Sequence, residues 1–380
     1  MIYDKATNKQ MNDIKITLCS IVKNESQVLS RMLDSVKDIV DSYTVVDTGS
    51  TDNTADVLKE RGIEPFYRAF SNFGDSRTHA LHLAFDQSGY SDMTYILLLD
   101  ADMQLILKDK EEFFTQLFLQ QPDIVYIYQT LAGYKYKNTR LVKASFGTKV
   151  FYEGCTHEYV SYPTGSKELV FSEDVVSIDD RGDGGCRDDK FERDRRLLEA
   201  AIQSNPTPRY LFYLAQTYRD MGLTEKAIDT YLKRIDAGGW FEELLYSRYR
   251  LVEMYLSTNQ EALAVAQADH ICSGRKRPEP FNCLCEYYRN KGDIPNAVKY
   301  FTLAQMSLTD VHNELPLFYD TRIEEYLLPF QEFMLWYYLH VNYRGQVHEL
   351  AAYLLTNPAV PEHIRQCVHT NYEKFYLHSV

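Results

Sequence analysis

The sequence predicts an α/β domain with a doubly wound, mostly parallel sheet, followed by an all-α helical repeat domain. Three observations predict it. Short apolar runs alternate with amphipathic helical stretches through the first hundred residues. A carboxylate stands at the end of two of those runs, at Asp47 and Asp100. Beyond about residue 205 the pattern becomes helical throughout and repeats itself. Strand and helix in alternation read as a sheet wound from both sides.

The elements follow in order. Lys15–Val22 (KITLCSIV) is a buried-strand pattern, and Glu25–Val40 has helical spacing through Val28, Leu29, Met32, Leu33 and Val36. Tyr43–Val46 is a short strand ending at Asp47, and Ser50 and Thr51 offer caps for a helix over about 52–61. Ile63–Phe66 is a third strand and Asp75–Phe85 another helix. Thr94–Leu99 is a central strand, since a run this short and apolar suits a parallel sheet. From Gln121 to about Ile178 the pattern is β-rich and irregular, and Asp179–Asp189 (DDRGDGGCRDD) is a polar, glycine-rich loop. These readings divide the chain into an α/β domain over 14–180, a linker and first helix over 181–205, and a helical domain over 206–380. Within the last, Tyr210–Tyr231 aligns without gaps on Pro280–Phe301, matching Tyr218 with Tyr288, Gly222 with Gly292 and Ala227 with Ala297. The offset, 280 less 210, is about twice the 34-residue tetratricopeptide period, and a weaker middle copy fits Tyr246–Ala268.

Composition narrows the function classes. The formal charge of −13 argues against nucleic acid, which is held by Lys and Arg on phosphates. An acidic protein that holds an anion needs local cations, from Arg, Lys or a metal ion. Seven cysteines without framework spacing suggest reduced thiols, and no second Cys/His pair accompanies Cys283 and Cys285 to make a zinc site. The N-terminal MIYDKATNKQ lacks the apolar core of a signal peptide, and YILLL at 95–99 is too short to span a bilayer. The expectation is a soluble cytoplasmic protein, with room for peripheral contact with a membrane.

Three segments carry chemistry: SIVKNES (Ser20–Ser26), VVDTGSTDNT (Val45–Thr54) and LLLDADM (Leu97–Met103). Residues two apart in an extended segment point the same way, so Asp100 and Asp102 can face one ligand. A hard cation such as Mn²⁺ or Mg²⁺ takes oxygen ligands and bridges carboxylates to diphosphate. Asp-x-Asp alone is a weak signal; its place after a central strand gives it weight. Asp52 reads as a helix cap, whereas Asp47 stands at a strand end, where a carboxylate can accept the imide N–H of uracil. Lys23 is the cation of the first segment and is assigned to the donor.

With these segments in their order, residues 14–180 resemble a family-2 glycosyltransferase of the GT-A fold. The resemblance implies an inverting transfer of a sugar from a nucleoside diphosphate sugar, UDP-linked, to a hydroxyl acceptor. It implies that Asp47 contacts the base, that Asp100 lies near the ribose, and that Asp102, with Asp100 beside it, binds Mn²⁺ or Mg²⁺ on the diphosphate. FSNFGDSRTHAL (Phe70–Leu81) is similar to the family's donor-site helix, with Arg77 approaching the donor and Thr78 standing where many members have Asn. YEGCTHEYV (Tyr152–Val160) is similar to a Gly-x-x-His-Glu segment of a subset of these enzymes. An inverting transfer needs a general base, and Glu158 is the candidate. His157 is read as a metal ligand or as the residue that orients Glu158. Asp180 or Asp183 is available to complete the metal shell, and Arg181, Arg187 or Lys190 to clamp diphosphate. Many relatives have a histidine in that neighbourhood and this chain has none, so the third protein ligand stays open.

The helical region resembles the tetratricopeptide tail fused to such enzymes. It serves either as architecture, including a homodimer, or as a surface for a partner protein or a glycan, lipid-linked or protein acceptor. Trp240 with Phe241 reads as an interface anchor or, more commonly, as core. Two rival functions stand beside the transferase. A nucleotidyltransferase also pairs aspartates on a metal, but SIVKNES lacks its glycines. The other is a non-catalytic helical-repeat adaptor.

Overall fold

The computed structural model describes residues 13–131, 134–185, 190–272, 277–313, 316–339 and 344–376. The chain divides into two compact units, Met1–Ser204 and Asn205–Val380.

In the first unit the elements are β1 (Lys15–Val22), α1 (Leu29–Val36), β2 (Ser42–Asp47), α2 (Thr54–Glu60), β3 (Phe66–Tyr67) and α3 (Phe73–Ser88). There follow β4 (Thr94–Leu98), β5 (Met103–Leu107), α4 (Lys110–Gln120), β6 (Ile124–Leu131), β7 (Tyr134–Lys143), β8 (Phe151–Glu153), β9 (Tyr159–Ser161), β10 (Glu168–Val170), β11 (Val176–Asp180) and α5 (Lys190–Ser204). The main sheet runs β3-β2-β1-β4-β7-β6-β11-β5, with β10 added beside β6; β8 and β9 form a separate hairpin. From β3 to β4 all pairs are parallel, while β7 enters antiparallel to both β4 and β6. The sheet is therefore mixed beyond β4, in the region whose sequence pattern is irregular.

Both faces are covered. Ile16, Leu18 and Leu97 pack with Met32, Leu33 and Val36 of α1 and with Phe113 and Leu117 of α4. Cys19, Ile96 and Leu98, one residue out of step, pack with Ala80, Leu81, Ala84 and Phe85 of α3. Strand alternation sends neighbouring side chains to opposite faces, so a strand buried on both sides reads as an unbroken apolar run. The first helix is shorter than its periodicity, because Glu25–Val28 is taken up by a turn before Leu29. Ser50 and Thr51 do not cap α2; the Asp52 carboxylate accepts the Thr54 amide at 3.0 Å instead.

In the second unit, α6 (Pro208–Asp220) and α7 (Thr224–Asp236), α8 (Phe241–Ser257) and α9 (Glu261–Cys272), and α10 (Glu279–Asn290) and α11 (Ile294–Asn313) form three successive helix–turn–helix pairs. Gly222 and Gly292 make their turns at φ 71° and 76°, and Asn259 does so in the middle pair at φ 57°. The left-handed region favours glycine and tolerates asparagine, which is why the middle copy is the weakest to the eye. Ala227 and Ala297 are fully buried where paired helices approach. Trp240 is 55% exposed and Phe241 45%, so the core reading of this pair is corrected. After Ile323–Leu327, a π-helical turn, come α12 (Leu328–Leu339), α13 (Arg344–Thr356) and α14 (Glu362–Phe375). Among the described residues no helix is long and apolar enough to cross a membrane.

Candidate active site

The carboxyl ends of β1, β2 and β4 lie along one edge, because these strands are parallel and in register: Val22 pairs with Asp47 and Cys19 with Leu98. Ligands of open α/β sheets bind outside such an edge. The loops that follow the strands are stitched together. Asp47 is buried, and its Oδ1 accepts the amides of Gly49 at 2.9 Å and Ser50 at 2.7 Å. Asn24 Oδ1 accepts the Thr51 amide at 2.7 Å, and Ser50 Oγ accepts the Asn24 amide at 3.0 Å. Asp52 also accepts the Ser26 amide at 3.2 Å, and hydrogen bonds from Ser26 and Thr54 outweigh its burial to hold its carboxyl below the usual range.

Four carboxylates gather near the Asp-x-Asp segment. Asp102 has Gly184 N 3.3 Å from its Oδ2, and Glu25 Oε2 accepts the Gly185 amide at 3.0 Å. A Cβ on Gly185 would stand 1.7 Å from Asn24 O, so only glycine permits this approach. Burial, reinforced by the charges of Asp102, Asp100 and Asp52, pushes Glu25 up to about 7. Asp180, at the end of β11, is pushed up to about 6 by burial and then by Asp102 and Asp100. Asp102 is raised by burial and by Asp100. Asp100 differs: burial pushes it up, but Arg77 and then Arg140 prevail and hold it down. Arg140 is buried beneath the cluster, donating from Nε to Gln129 Oε1 at 3.0 Å and from Nη1 to Leu98 O at 3.1 Å. Gln129 in turn donates to Asp180 Oδ2 at 3.3 Å.

The hairpin β8–β9 brings up Glu158. Gly74, in the first turn of α3, packs directly on Gly154, where a Cβ would stand 2.2 Å from the carbonyl oxygen. Thr78 Oγ1 accepts the Tyr152 amide at 2.9 Å, so the threonine ties α3 to β8. One residue earlier Arg77 forks: Nε donates to Glu158 Oε1 at 2.5 Å and Nη1 to Asp100 Oδ1. The Tyr152 ring lies 5.9 Å from the guanidinium carbon. His157 is exposed, at φ 52°.

The structure thus brings Asp47, Asp100 and Asp102 to one sheet edge and joins Asp100 to Glu158 through Arg77. Lys23 follows β1 directly, partly exposed and without a hydrogen bond or ion pair among the described residues. Asp183 is taken by Arg31, at 3.0 and 2.5 Å, and Arg181 by Asp179 at 3.0 Å. Lys190 opens α5 and is exposed; Arg187 lies outside the described residues. Among the described residues no group of three or more His, Cys, Asp or Glu is disposed to hold a metal ion. Sequence reasoning passed over Glu25, Arg31 and Arg140. Glu25 lies inside the SIVKNES segment, and its place directly after a strand end was the available signal.

Residues 17–168 match the family model described as Glycosyl transferase family 2. The chain is 27% identical over 237 residues to the SPbeta prophage-derived glycosyltransferase SunS of Bacillus subtilis, covering 58% of this chain and 52% of that protein. It is 37% identical over 110 residues to a TPR repeat-containing protein of Synechococcus elongatus, covering 29% of this chain and 25% of the other. An uncharacterized glycosyltransferase of Rickettsia felis is 32% identical over 101 residues, 26% of this chain and 33% of that one. The chain thus spans between a quarter and about half the length of these relatives. Among solved structures, S. aureus TarS gives a TM-score of 0.36 at 11% identity, covering 75% of this chain and 54% of the other. Glucosyl-3-phosphoglycerate synthase from Mycobacterium tuberculosis, solved with Mn²⁺ and UDP-glucose, gives 0.25 at 16% identity, covering 35% and 50%. Residues 17–168 of the N-terminal unit thus match glycosyl transferase family 2, and an all-helical unit follows.

Proposed function

We propose that the chain is an inverting glycosyltransferase that moves a sugar from a UDP-linked donor to a hydroxyl of an acceptor, using a divalent metal ion. The observation that carries this reading is the arginine fork. Arg77 spans the distance between Asp100, on the donor side, and Glu158, on the hairpin. A displacement with inversion needs its base on the face opposite the leaving group, and the fork holds a carboxylate apart from the Asp-x-Asp cluster.

In this reading Asp47 accepts the base imide N–H at Oδ2, its Oδ1 being spent on the turn. Glu158 has Oε1 held by Arg77, so Oε2 takes the proton of the acceptor hydroxyl. The acceptor oxygen forms its bond to the anomeric carbon as the bond to diphosphate breaks, and the configuration inverts. Lys23 meets the diphosphate. The donor set suits a hard cation held in the way Mg²⁺ commonly is, by one or two carboxylates and substrate phosphates rather than a protein cage. Asp102, raised by burial and then by its neighbour's charge, and Asp100 would hold it, and it would supply Lewis-acid stabilisation of the leaving diphosphate. His157, at φ 52° directly before Glu158, is the residue that orients it.

The test is incubation with a panel of nucleotide sugars, with Mn²⁺ or with chelator. Metal-dependent release of nucleoside diphosphate is expected. Formation or consumption of pyrophosphate would point to nucleotidyl transfer, and absence of both binding and turnover to an adaptor.

A further inference from the structure

A pocket of about 350 Å³ opens on the α3 side of the sheet, lined by Tyr126, Asn138, Thr139, Tyr159, Ser161 and Tyr162. Small-molecule sites begin at roughly this size, about 300 Å³. Resting on the transferase reading above, we propose that this pocket receives a neutral, hydroxyl-bearing saccharide ring of the acceptor.

Position supports it first. Strand β9, which supplies Tyr159 and Ser161, starts one residue after Glu158. Strand β7, which supplies Asn138 and Thr139, runs antiparallel beside β4 with Leu141 opposite Leu97. Residues 139 and 138 therefore lie toward the end of β4 that carries Asp100. The strands that line the pocket thus lead to the base on one side and toward the donor edge on the other.

Chemistry then selects the ligand. Every residue lining the pocket is uncharged. A diphosphate or another anion needs cations or helix termini, and the lining itself offers neither, so it favours a neutral ligand over the donor. What the lining does offer is tyrosine rings, a side-chain amide and hydroxyls, a mixture that suits the apolar faces and polar rim of a sugar. Tyr159 is 40% exposed and presents its ring. Lys137 lies over the Tyr126 ring, 5.4 Å from its centroid, leaving that tyrosine to act through its hydroxyl.

The order of protons in the wall sharpens this. Tyr162 donates to Glu168 Oε1 at 2.7 Å, and burial, with the hydrogen bonds to Tyr126 and Glu168, keeps the proton on the phenol. With its own proton committed, Tyr162 accepts from Tyr126 across 2.5 Å. The Tyr126 oxygen is then left with lone pairs and no proton to give. A partner at that point must be a donor, which a sugar hydroxyl is and an ether, carbonyl or carboxylate is not.

The experiment uses the full chain on a glycan array with the nucleotide sugar that it turns over. Two variants follow: Ser161→Trp, which fills the pocket, and Tyr126→Phe, which removes the acceptor oxygen. For Ser161→Trp the acceptor KM is expected to rise about tenfold or more, while hydrolysis of the donor without acceptor stays unchanged. Tyr126→Phe should raise the acceptor KM about twofold to tenfold with kcat kept, as for one lost hydrogen bond, and it tests the idea should the tryptophan variant fail to fold. Unchanged acceptor KM in folded variants that still hydrolyse donor would overturn the inference, as would transfer only to peptides or lipids without a sugar. A wild-type chain that neither hydrolyses nor transfers would overturn the parent reading itself, a distinguishable failure.

Discussion

Arg77 and Glu158 stand 81 positions apart in the chain, yet Nε and Oε1 meet at 2.5 Å. Their side chains are 17% and 13% exposed, so the pair has left most of its water behind. Removing one partner of such a pair leaves the other charge without compensation. Arg77→Ala should therefore lower stability by about 2 kcal/mol, less than for a fully buried pair, and abolish transfer. Arg77→Lys should recover part of the stability and little of the activity, because an ammonium cannot fork between Asp100 and Glu158. Urea unfolding and transfer rates on the same preparations check both.

For Glu158→Gln the carbonyl oxygen of the amide still accepts from Arg77, so the hairpin should stay in place. Donor affinity, read by thermal stabilisation, is expected to match the wild type. Transfer should fall by about 10²–10⁴, the usual contribution of a general base. Normal transfer would remove Glu158 from the role.

Asp102 is held up by burial and by Asp100, so its negative charge is a strain on the free protein. Asp102→Ala should leave the melting temperature unchanged or slightly raised, while metal-dependent transfer falls by about a thousandfold. Loss of the stabilisation by Mn²⁺ in the presence of UDP is the second readout. Full turnover in chelator would end the metal assignment.

What the sequence disclosed of this site follows from distance along the chain. Asp100 and Asp102 share one segment, and Asp47 ends a strand whose apolar run marks it, so local pattern sufficed to pick them out. Glu25 meets Gly185 across 160 positions, and Arg31 meets Asp183 across 152. No local pattern announces such meetings. Arg140 looks like an ordinary strand residue until β7 is inserted between β4 and β6, where it turns under the cluster. The antiparallel entry of β7 was hidden for the same reason, since strand direction is set by partners. Thr78 stands out in the sequence as a departure from the family's asparagine, but its bond to Tyr152 needs the hairpin in place.

Glu25 makes the cluster sensitive to pH. Its carboxyl is pushed from 4.5 up to about 7, mainly by burial. Between those values the folded protein keeps a proton that the unfolded chain has released, so this group's contribution to stability falls as pH rises and levels off above 7. Glu25→Gln cannot titrate. It should be more stable than wild type by on the order of 1 kcal/mol at about pH 8, a figure kept small because the half-buried group is screened by solvent. The gap should close as pH falls toward 4.5, which urea unfolding at a series of pH values will show.

Asp47 has two duties that a pair of substitutions can separate. Its Oδ1 holds the turn through the amides of Gly49 and Ser50, at 2.9 and 2.7 Å. Gly49 sits at φ 114°, a conformation that needs the turn to be fixed. Asn keeps an oxygen for those amides but replaces the other oxygen with an N–H donor, which faces the imide donor of uracil rather than accepting from it. Asp47→Asn should therefore unfold within about 0.5 kcal/mol of the wild type, yet bind UDP about tenfold more weakly. Asp47→Ala loses the turn as well and should cost about 1–2 kcal/mol in stability. Calorimetric titration with UDP, set beside unfolding of the same variants, separates the two. Equal UDP affinity in Asp47→Asn and wild type would leave the aspartate only its turn.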